Sequence, residues 1–243
     1  MKLLVALLYA SYDAGLFNRT RTCVQSLDRT QPAADVAVSF VVPDARSEQD
    51  ASSLCQNLKN LTCSILKVSV PPPIAACNQH LETKANAMWV GGKELLRAYP
   101  DTQLLLSDTD VYFLKSLVPE IPTGCDVGVT ANPESFRWPI NSGHVFVHNV
   151  AGVDALEKGA IRGIQVLSEC CARRNCTGGE NQGALAQTLR DSGASVCWTP
   201  RGVLNAEPQG CVEDVMRNAV SVHFNGRKKS MMAEERCTRW LPL

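Results

Sequence analysis

The sequence predicts an α/β fold built on a mainly parallel central sheet with helices over both faces. Three observations carry that expectation. Short apolar runs at Leu3–Ala10, Val36–Val42, Cys63–Val70 and Gln103–Ser107 have the length and composition of strands buried on both faces. Helical patterns fall between them, so strand and helix alternate as crossover units require. No linker-like stretch, internal repeat or low-complexity tract divides the 243 residues, which therefore read as a single domain.

Each element has its own local reason. Leu3–Ala10 is continuous apolar sequence, followed by a loop over Ser11–Asn18 and a short helix over Arg21–Asp28. Val36–Val42 is rich in β-branched residues and is closed by Pro43–Asp44. Glu48–Leu61 places Leu54, Leu58 and Leu61 on one helical face. Cys63–Val70 is ended by the prolines at 71–73, and the helix Leu81–Ala98 is stopped by Pro100. Gln103–Ser107 then delivers Asp108 at a strand end, where parallel sheets bind their ligands. In the second half, strands are expected at Cys125–Thr130, Gly143–Val147, Val196–Thr199 and Val220–Phe224. Helices are expected at Val153–Leu167 and Asn181–Leu189. The stretches around 131–143 and 200–210, rich in Gly, Pro and Asn, are candidate substrate loops.

Composition excludes some functions. Lys+Arg and Asp+Glu both number 24, so neither a nucleic-acid nor a membrane partner is indicated. No apolar run approaches the roughly 20 residues that span a bilayer. The opening Met1–Ala10 resembles a signal peptide only briefly: its basic flank is one lysine and Ser11–Asp13 follows at once, so a buried first strand is the preferred reading. These features favour a cytoplasmic location; a secretory lumen would require that an anchor had been removed. The eleven cysteines cannot all pair within one chain. Cys170, Cys171 and Cys176 could form a disulfide cluster or part of a zinc site, and free, partly buried thiols in a reducing compartment are an equal alternative. Glycosylation triplets at Asn18, Asn60 and Asn175 would matter only in a secretory lumen.

The sharpest chemical signal is Asp108–Thr109–Asp110. Two carboxylates just past an apolar strand can place oxygens on one hard cation, Mg²⁺ or Mn²⁺, with positions left for phosphate oxygens. The second is His223-x-x-Gly226-x-x-Lys229. The imidazole can complete that ligand set and favours Mn²⁺, Gly226 allows close backbone approach to phosphates, and Lys229 supplies a point charge. The third, Asn141–Ser142–Gly143, puts amide and hydroxyl groups beside a strand, where sugar hydroxyls can be bound. The fourth, Glu180–Asn181–Gln182, supplies a carboxylate and two amides where a helix begins. Ala10, Ser11 and Tyr12 at the end of the first strand, with Tyr9 before them, and Lys84 on the helix before the Asp108 strand are candidates to meet a nucleotide. His80, His144 and His148 have no evident partner and read as structural or exposed.

Together these motifs resemble the retaining GT-A type glycosyltransferases, nearest to the glycogenin and lipooligosaccharide galactosyltransferase group and the plant cell-wall xylosyl- and arabinosyltransferase-like group. The resemblance runs from the first strand to about Lys229. It implies a GT-A, Rossmann-like fold, with residues 1–110 as the nucleotide-binding half and 111–243 as the sugar- and acceptor-binding half. It further implies a nucleoside diphosphate sugar donor, most simply a UDP-sugar, and a glycan or other hydroxyl acceptor. Asp108, Asp110 and His223 are the implied Mn²⁺ (or Mg²⁺) ligands, Thr109, Gly226 and Lys229 the implied nucleotide contacts, and Asn141, Ser142, Glu180, Asn181 and Gln182 the implied sugar-handling residues. The chain departs from the pattern at Asn181, where the family usually has aspartate, and at Ser230–Met231, where Pro–Trp often follows the lysine. A non-catalytic binder of nucleotide sugar or glycan and, lower, a sugar nucleotidyltransferase are the alternatives. The nucleotidyltransferase lacks support because residues 10–15 hold one glycine and no Lys or Arg.

Overall fold

A computed structural model describes residues 2–11, 14–69, 91–131, 140–173, 180–199, 202–204, 206 and 218–224. Strands β1 (Leu3–Leu8), β2 (Val36–Val42), β3 (Cys63–Lys67) and β4 (Gln103–Ser107) alternate with helices α1 (Ala14–Thr30), α2 (Ala45–Gln56) and α3 (residues 91–98). Then follow β5 (Val111–Phe113), β6 (Val127–Ala131), β7 (Ile140–Val147), α4 (Val150–Ala172), α5 (Glu180–Asp191), β8 (Val196–Thr199) and β9 (Ser221–His223).

One sheet runs through both halves of the chain in the order β3-β2-β1-β4-β7-β6-β8. All its pairings are parallel except the two made by β7, which lies antiparallel to β4 and β6. The expected mainly parallel sheet is therefore what forms. Strand alternation sorts the core into two layers. Leu3, Val5, Leu7, Val38, Phe40, Leu105 and Phe146 face α1, α2 and the small β5–β9 sheet. Leu4, Ala6, Leu8, Leu104, Leu106, Val145 and Val147 face Leu95 of α3 and the apolar sides of α4 and α5. Both faces of β1 and β4 are thus covered, which is why their sequences are apolar without interruption.

The boundaries differ from the sequence expectations where side chains cap or satisfy the backbone. Helix α1 begins at Ala14, well before Arg21, and inside it Thr20 and Thr22 satisfy their hydroxyls on the carbonyls of Leu16 and Asn18. Helix α2 stops at Gln56 rather than Leu61. The buried carboxylate of Asp28 accepts the backbone N–H groups of Lys59, Asn60 and Leu61 and draws the chain out of the helix. Helix α4 starts at Val150, where the Asn149 side chain accepts from Gly152 N at 3.1 Å. Strand β7 begins at Ile140, three residues early, and takes in Asn141 and Ser142. The three-residue β5 was not expected at all. The N-terminal part of the helix expected at Leu81–Ala98, and the 70–90 stretch generally, lie outside the described residues.

The cysteines depart from the reading as free thiols. Cys55 is bonded to Cys63 and Cys125 to Cys197. Cys170 and Cys171 are also disulfide-bonded, so neither offers a thiolate to zinc. Among the described residues Cys23 is the free thiol, and it is buried. No helix among the described residues is long and apolar enough to cross a membrane.

Candidate metal centre and donor site

The site begins from the sheet register. Leu7 of β1 pairs with Ser107 of β4, so Tyr9–Ser11 and Asp108–Asp110 leave the sheet at the same edge. Two backbone links then fix the Asp108–Asp110 turn. Asp108 N donates to Gly143 O of β7 at 3.1 Å, and Phe224 N donates to Asp110 O at 2.9 Å. The β5–β9 pairing places Val111 opposite His223. His223, 113 positions beyond Asp110, is thereby brought onto the turn.

The result is a cluster of two carboxylates and one imidazole. His223 Nε2 lies 3.2 Å from Asp110 Oδ1 and 3.6 Å from Asp108 Oδ2. One ligand atom from each of Asp108, Asp110 and His223 lies within 4.8 Å of the others. The His223 and Asp110 side chains are almost wholly buried, at 4% and 8% exposure, whereas Asp108 is 40% exposed. Two ligands held at about 2.1 Å on neighbouring positions of an octahedral cation stand about 3 Å apart. The His223–Asp110 separation fits that spacing. Asp108 is the member of the cluster that is open to solvent. Two carboxylate oxygens with one imidazole nitrogen form a donor set that a divalent cation could occupy. The Cys23 thiol lies beneath Asp110, but burial and the charge of Asp110 push its pKa up, so it is a neutral packing group and no ligand.

The sugar-site segments expected from sequence meet beside this cluster. Ser142 N donates to Gln182 Oε1 at 3.2 Å, joining β7 to the first turn of α5. The buried Asn141 turns its Oδ1 onto Gly143 N at 2.9 Å, and Gly143 O in turn holds Asp108 N. Thr109 is buried, which makes it part of the turn's packing. Glu180 and Asn181 open α5.

At the end of β1, Ala10 is buried and Ser11 is held twice, with its N–H donating to Ser47 Oγ at 2.8 Å and its hydroxyl to Asp50 Oδ2 at 2.6 Å. Tyr9 is fully buried and donates its hydroxyl to the same Asp50 oxygen; burial pushes its pKa up to about 12. Tyr9 therefore belongs to the core, leaving Ser11 as the candidate nucleoside contact that is described. Tyr12, Lys84, Gly226 and Lys229 lie outside the described residues.

Sequence reasoning passed over His144, Ser107, Ser221, Ser47 and Asp50. His144 is fully buried behind the metal cluster. Its Nδ1 lies 2.8 Å from Gly143 O and 3.1 Å from Ser107 Oγ, and its Nε2 lies 2.8 Å from Ser221 Oγ. A carbonyl can only accept, so Nδ1 carries the hydrogen and Nε2 accepts from the Ser221 hydroxyl. Burial, reinforced by the nearby His223, pushes the His144 pKa down to about 3 and keeps the ring neutral. Its position directly after Asn141–Ser142–Gly143 was the available signal. Nothing in the sequence marked Asp50, which reaches the site from α2.

By sequence, no protein-family model and no curated protein matches the chain. Solved structures do. Mouse xyloside xylosyltransferase 1 superposes with a TM-score of 0.55 at 13% identity, over 94% of this chain and 99% of that one. A glycosyltransferase involved in glycosylation of the major capsid of PBCV-1 gives 0.59 at 15% identity, over 96% and 99%. The galactosyltransferase LgtC, in complex with donor and acceptor sugar analogs, gives 0.60 at 14% identity, over 98% and 94%. The chain has the GT-A glycosyltransferase fold. Fold alone does not assign chemistry.

Proposed function

We propose that this chain is a glycosyltransferase that moves a sugar from a nucleoside diphosphate sugar, most simply a UDP-sugar, to a hydroxyl acceptor with retention of configuration. The observation that carries the proposal is the convergence of Asp108, Asp110 and His223 at the active edge of a GT-A sheet. These three residues would hold Mn²⁺, or Mg²⁺ less readily. Such an ion supplies neutralisation of the diphosphate charge that builds as the sugar departs.

The protein groups divide the remaining work. Asp110 and His223 are rigid because they are buried and paired, so they present fixed ligand atoms. Asp108 faces the open side, where it would meet the diphosphate. Ser11, fixed by Ser47 and Asp50, offers a pre-positioned contact to the nucleoside. The Gln182–Ser142 link holds the donor-sugar segments together. Glu180 and Asn181 would complete them, and Lys229 would offset charge on the leaving diphosphate. No side chain in the described cluster is placed as a covalent nucleophile, which suits same-face attack by the acceptor hydroxyl assisted by the leaving phosphate.

Purified protein titrated with Mn²⁺ and a panel of nucleotide sugars tests the proposal. The expected result is Mn²⁺-dependent binding of one nucleoside class, with slow donor hydrolysis or transfer, both lost in Asp108→Ala. Absence of nucleotide-sugar binding in the presence of Mn²⁺ would overturn it. Asn181, in place of the aspartate of the resembled families, favours a second reading in which the chain binds nucleotide sugar or glycan without turnover. Binding with no transfer or hydrolysis across the panel, followed by gain of turnover in Asn181→Asp, would establish that reading.

A further inference from the structure

We propose that Asn60 is an N-glycosylation acceptor, occupied when the chain passes through an oxidising, secretory-type compartment. The inference is independent of the sugar-transfer reading. It starts from the segment between α2 and β3, which holds the triplet Asn60–Leu61–Thr62 inside the loop closed by Cys55–Cys63. Disulfides of this kind form and persist where the compartment is oxidising, which is also where N-glycans are attached. Cys125–Cys197, distant in sequence and reaching the opposite edge strand β8 through Cys197, is a second sign of the same environment.

The local structure presents the triplet as an acceptor site. Asn60 and Thr62 are exposed, while Leu61 between them is buried at 6%. Asp28 fixes that arrangement, its carboxylate accepting Asn60 N and Leu61 N, both at 2.9 Å. The Asn60 side chain also donates from Nδ2 to Asp28 O at 3.0 Å. A primary amide nitrogen has two hydrogens, so this bond uses one and leaves the other replaceable. In the transfer, Nδ2 forms a bond to the anomeric carbon of a lipid-diphosphate-linked oligosaccharide. The bond from that carbon to the diphosphate oxygen breaks, the lipid diphosphate leaves with the electron pair, and Nδ2 gives up one proton to base.

Position separates Asn60 from the other triplets. It precedes β3 in a parallel sheet, so it sits at the sheet edge opposite Asp108, where a bulky glycan leaves the candidate site open. Asn18 lies within α1 on the active side, and its Thr20 is fully buried with the hydroxyl committed to Leu16 O. Acceptor asparagines belong to surface loops, which describes Asn60 and not Asn18. Asn175 lies outside the described residues.

The test is to express the full chain behind a cleavable secretion leader in cultured eukaryotic cells and to recover it from medium and cells together. Non-reducing peptide mapping then reads occupancy and disulfide state. The expected result is a Cys55–Cys63 disulfide and an oligosaccharide on the Asn60 peptide, released by peptide N-glycosidase with conversion of the linked asparagine to aspartate. Both Asn60→Gln and Thr62→Val should lose it, and Thr62→Val keeps the Asn60–Asp28 bond, so its loss cannot be blamed on a disturbed loop. An unmodified Asn60 peptide, a glycan at Asn18 instead, or reduced Cys55 and Cys63 in the recovered chain would each overturn the proposal.

Discussion

The Nε2 of His144 lies 2.8 Å from Ser221 Oγ, and this contact ties the central sheet to the small sheet that carries His223. On its other side the same ring meets Gly143 O and Ser107 Oγ, adjacent to Asp108. A single neutral imidazole thus spans the two strand ends that must agree for the metal cluster to form. Phe113 stacks on it with ring centroids 5.7 Å apart, which fixes the ring plane.

His144→Ala should therefore weaken Mn²⁺ binding by roughly 10–100-fold, the usual scale for groups that orient metal ligands without touching the ion. Manganese titration followed by electron paramagnetic resonance would measure it, normalised to folded protein. His144→Gln, which keeps a donor and an acceptor, should recover part of the loss. Unchanged affinity in a folded His144→Ala protein would show that the strand ends hold their positions unaided.

The same residue predicts a pH dependence of stability. Burial holds the folded pKa of His144 near 3, below the ordinary histidine value of about 6.5. The unfolded chain then binds the extra proton between those values. Its contribution to stability is complete above about pH 6.5 and is lost as pH falls toward 3. Thermal melts at pH 7.5, 6 and 5 should show a decline that is shallower in His144→Gln than in the parent chain. Equal slopes would remove His144 from the account.

Much of this arrangement was legible in the sequence, for a definite reason. Strands buried on both faces are apolar throughout, so β1, β2 and β4 announce themselves, and the strand end that carries Asp108 follows directly. The pairing of Asp108–Asp110 with His223 was expected from the resemblance and is what the β5–β9 ladder produces. Other features were invisible because they depend on contacts between distant segments. Strand β5 has three residues and no periodicity to read, and exists because β9 pairs with it. The end of α2 depends on Asp28, about thirty residues upstream. His144 looked partnerless because its partners, Ser107 and Ser221, are 37 and 77 positions away. Cysteine pairing could not be deduced from spacing alone.

The three residues proposed to bind metal should not be equivalent. Asp110 and His223 are buried against each other, so His223→Ala leaves a buried carboxylate without that partner and should both abolish Mn²⁺ binding and lower Tm. Asp108 is far more exposed, so Asp108→Ala should abolish binding with little change in Tm. Calorimetric Mn²⁺ titration beside a thermal melt separates the two effects. A large drop in Tm for Asp108→Ala would contradict this division.

Removing the Cys125–Cys197 bridge should cost stability on the scale set by its span. The cysteines are 72 positions apart, and closing a loop of that size restricts the unfolded chain by about 4 kcal/mol in the chain-entropy model. For a chain of this length that corresponds to a fall in Tm of roughly 8–16 °C. The double variant Cys125→Ala, Cys197→Ala tests this, with Cys55→Ala, Cys63→Ala as the shorter-loop comparison, expected to lose less. An equal loss from both pairs would show that local packing rather than loop closure sets the cost.

Gly152 is required by close packing of helix against loop. A Cβ at this position would stand 2.3 Å from the backbone carbonyl oxygen of Asp126, and 3.1 Å from Val147 Cγ1. The carbonyl cannot swing aside cheaply, because it also accepts His148 N at 3.0 Å. The glycine also sits where the Asn149 cap accepts Gly152 N, so shifting α4 to make room strains that cap as well. Gly152→Ala would ordinarily gain from helix propensity, by up to about 1 kcal/mol. Here overpacking should win, with a net loss of about 1–3 kcal/mol. Urea unfolding of the two proteins at equal m-value measures the difference, and a stabilised Gly152→Ala would show that α4 can move away from the Asp126 turn without cost.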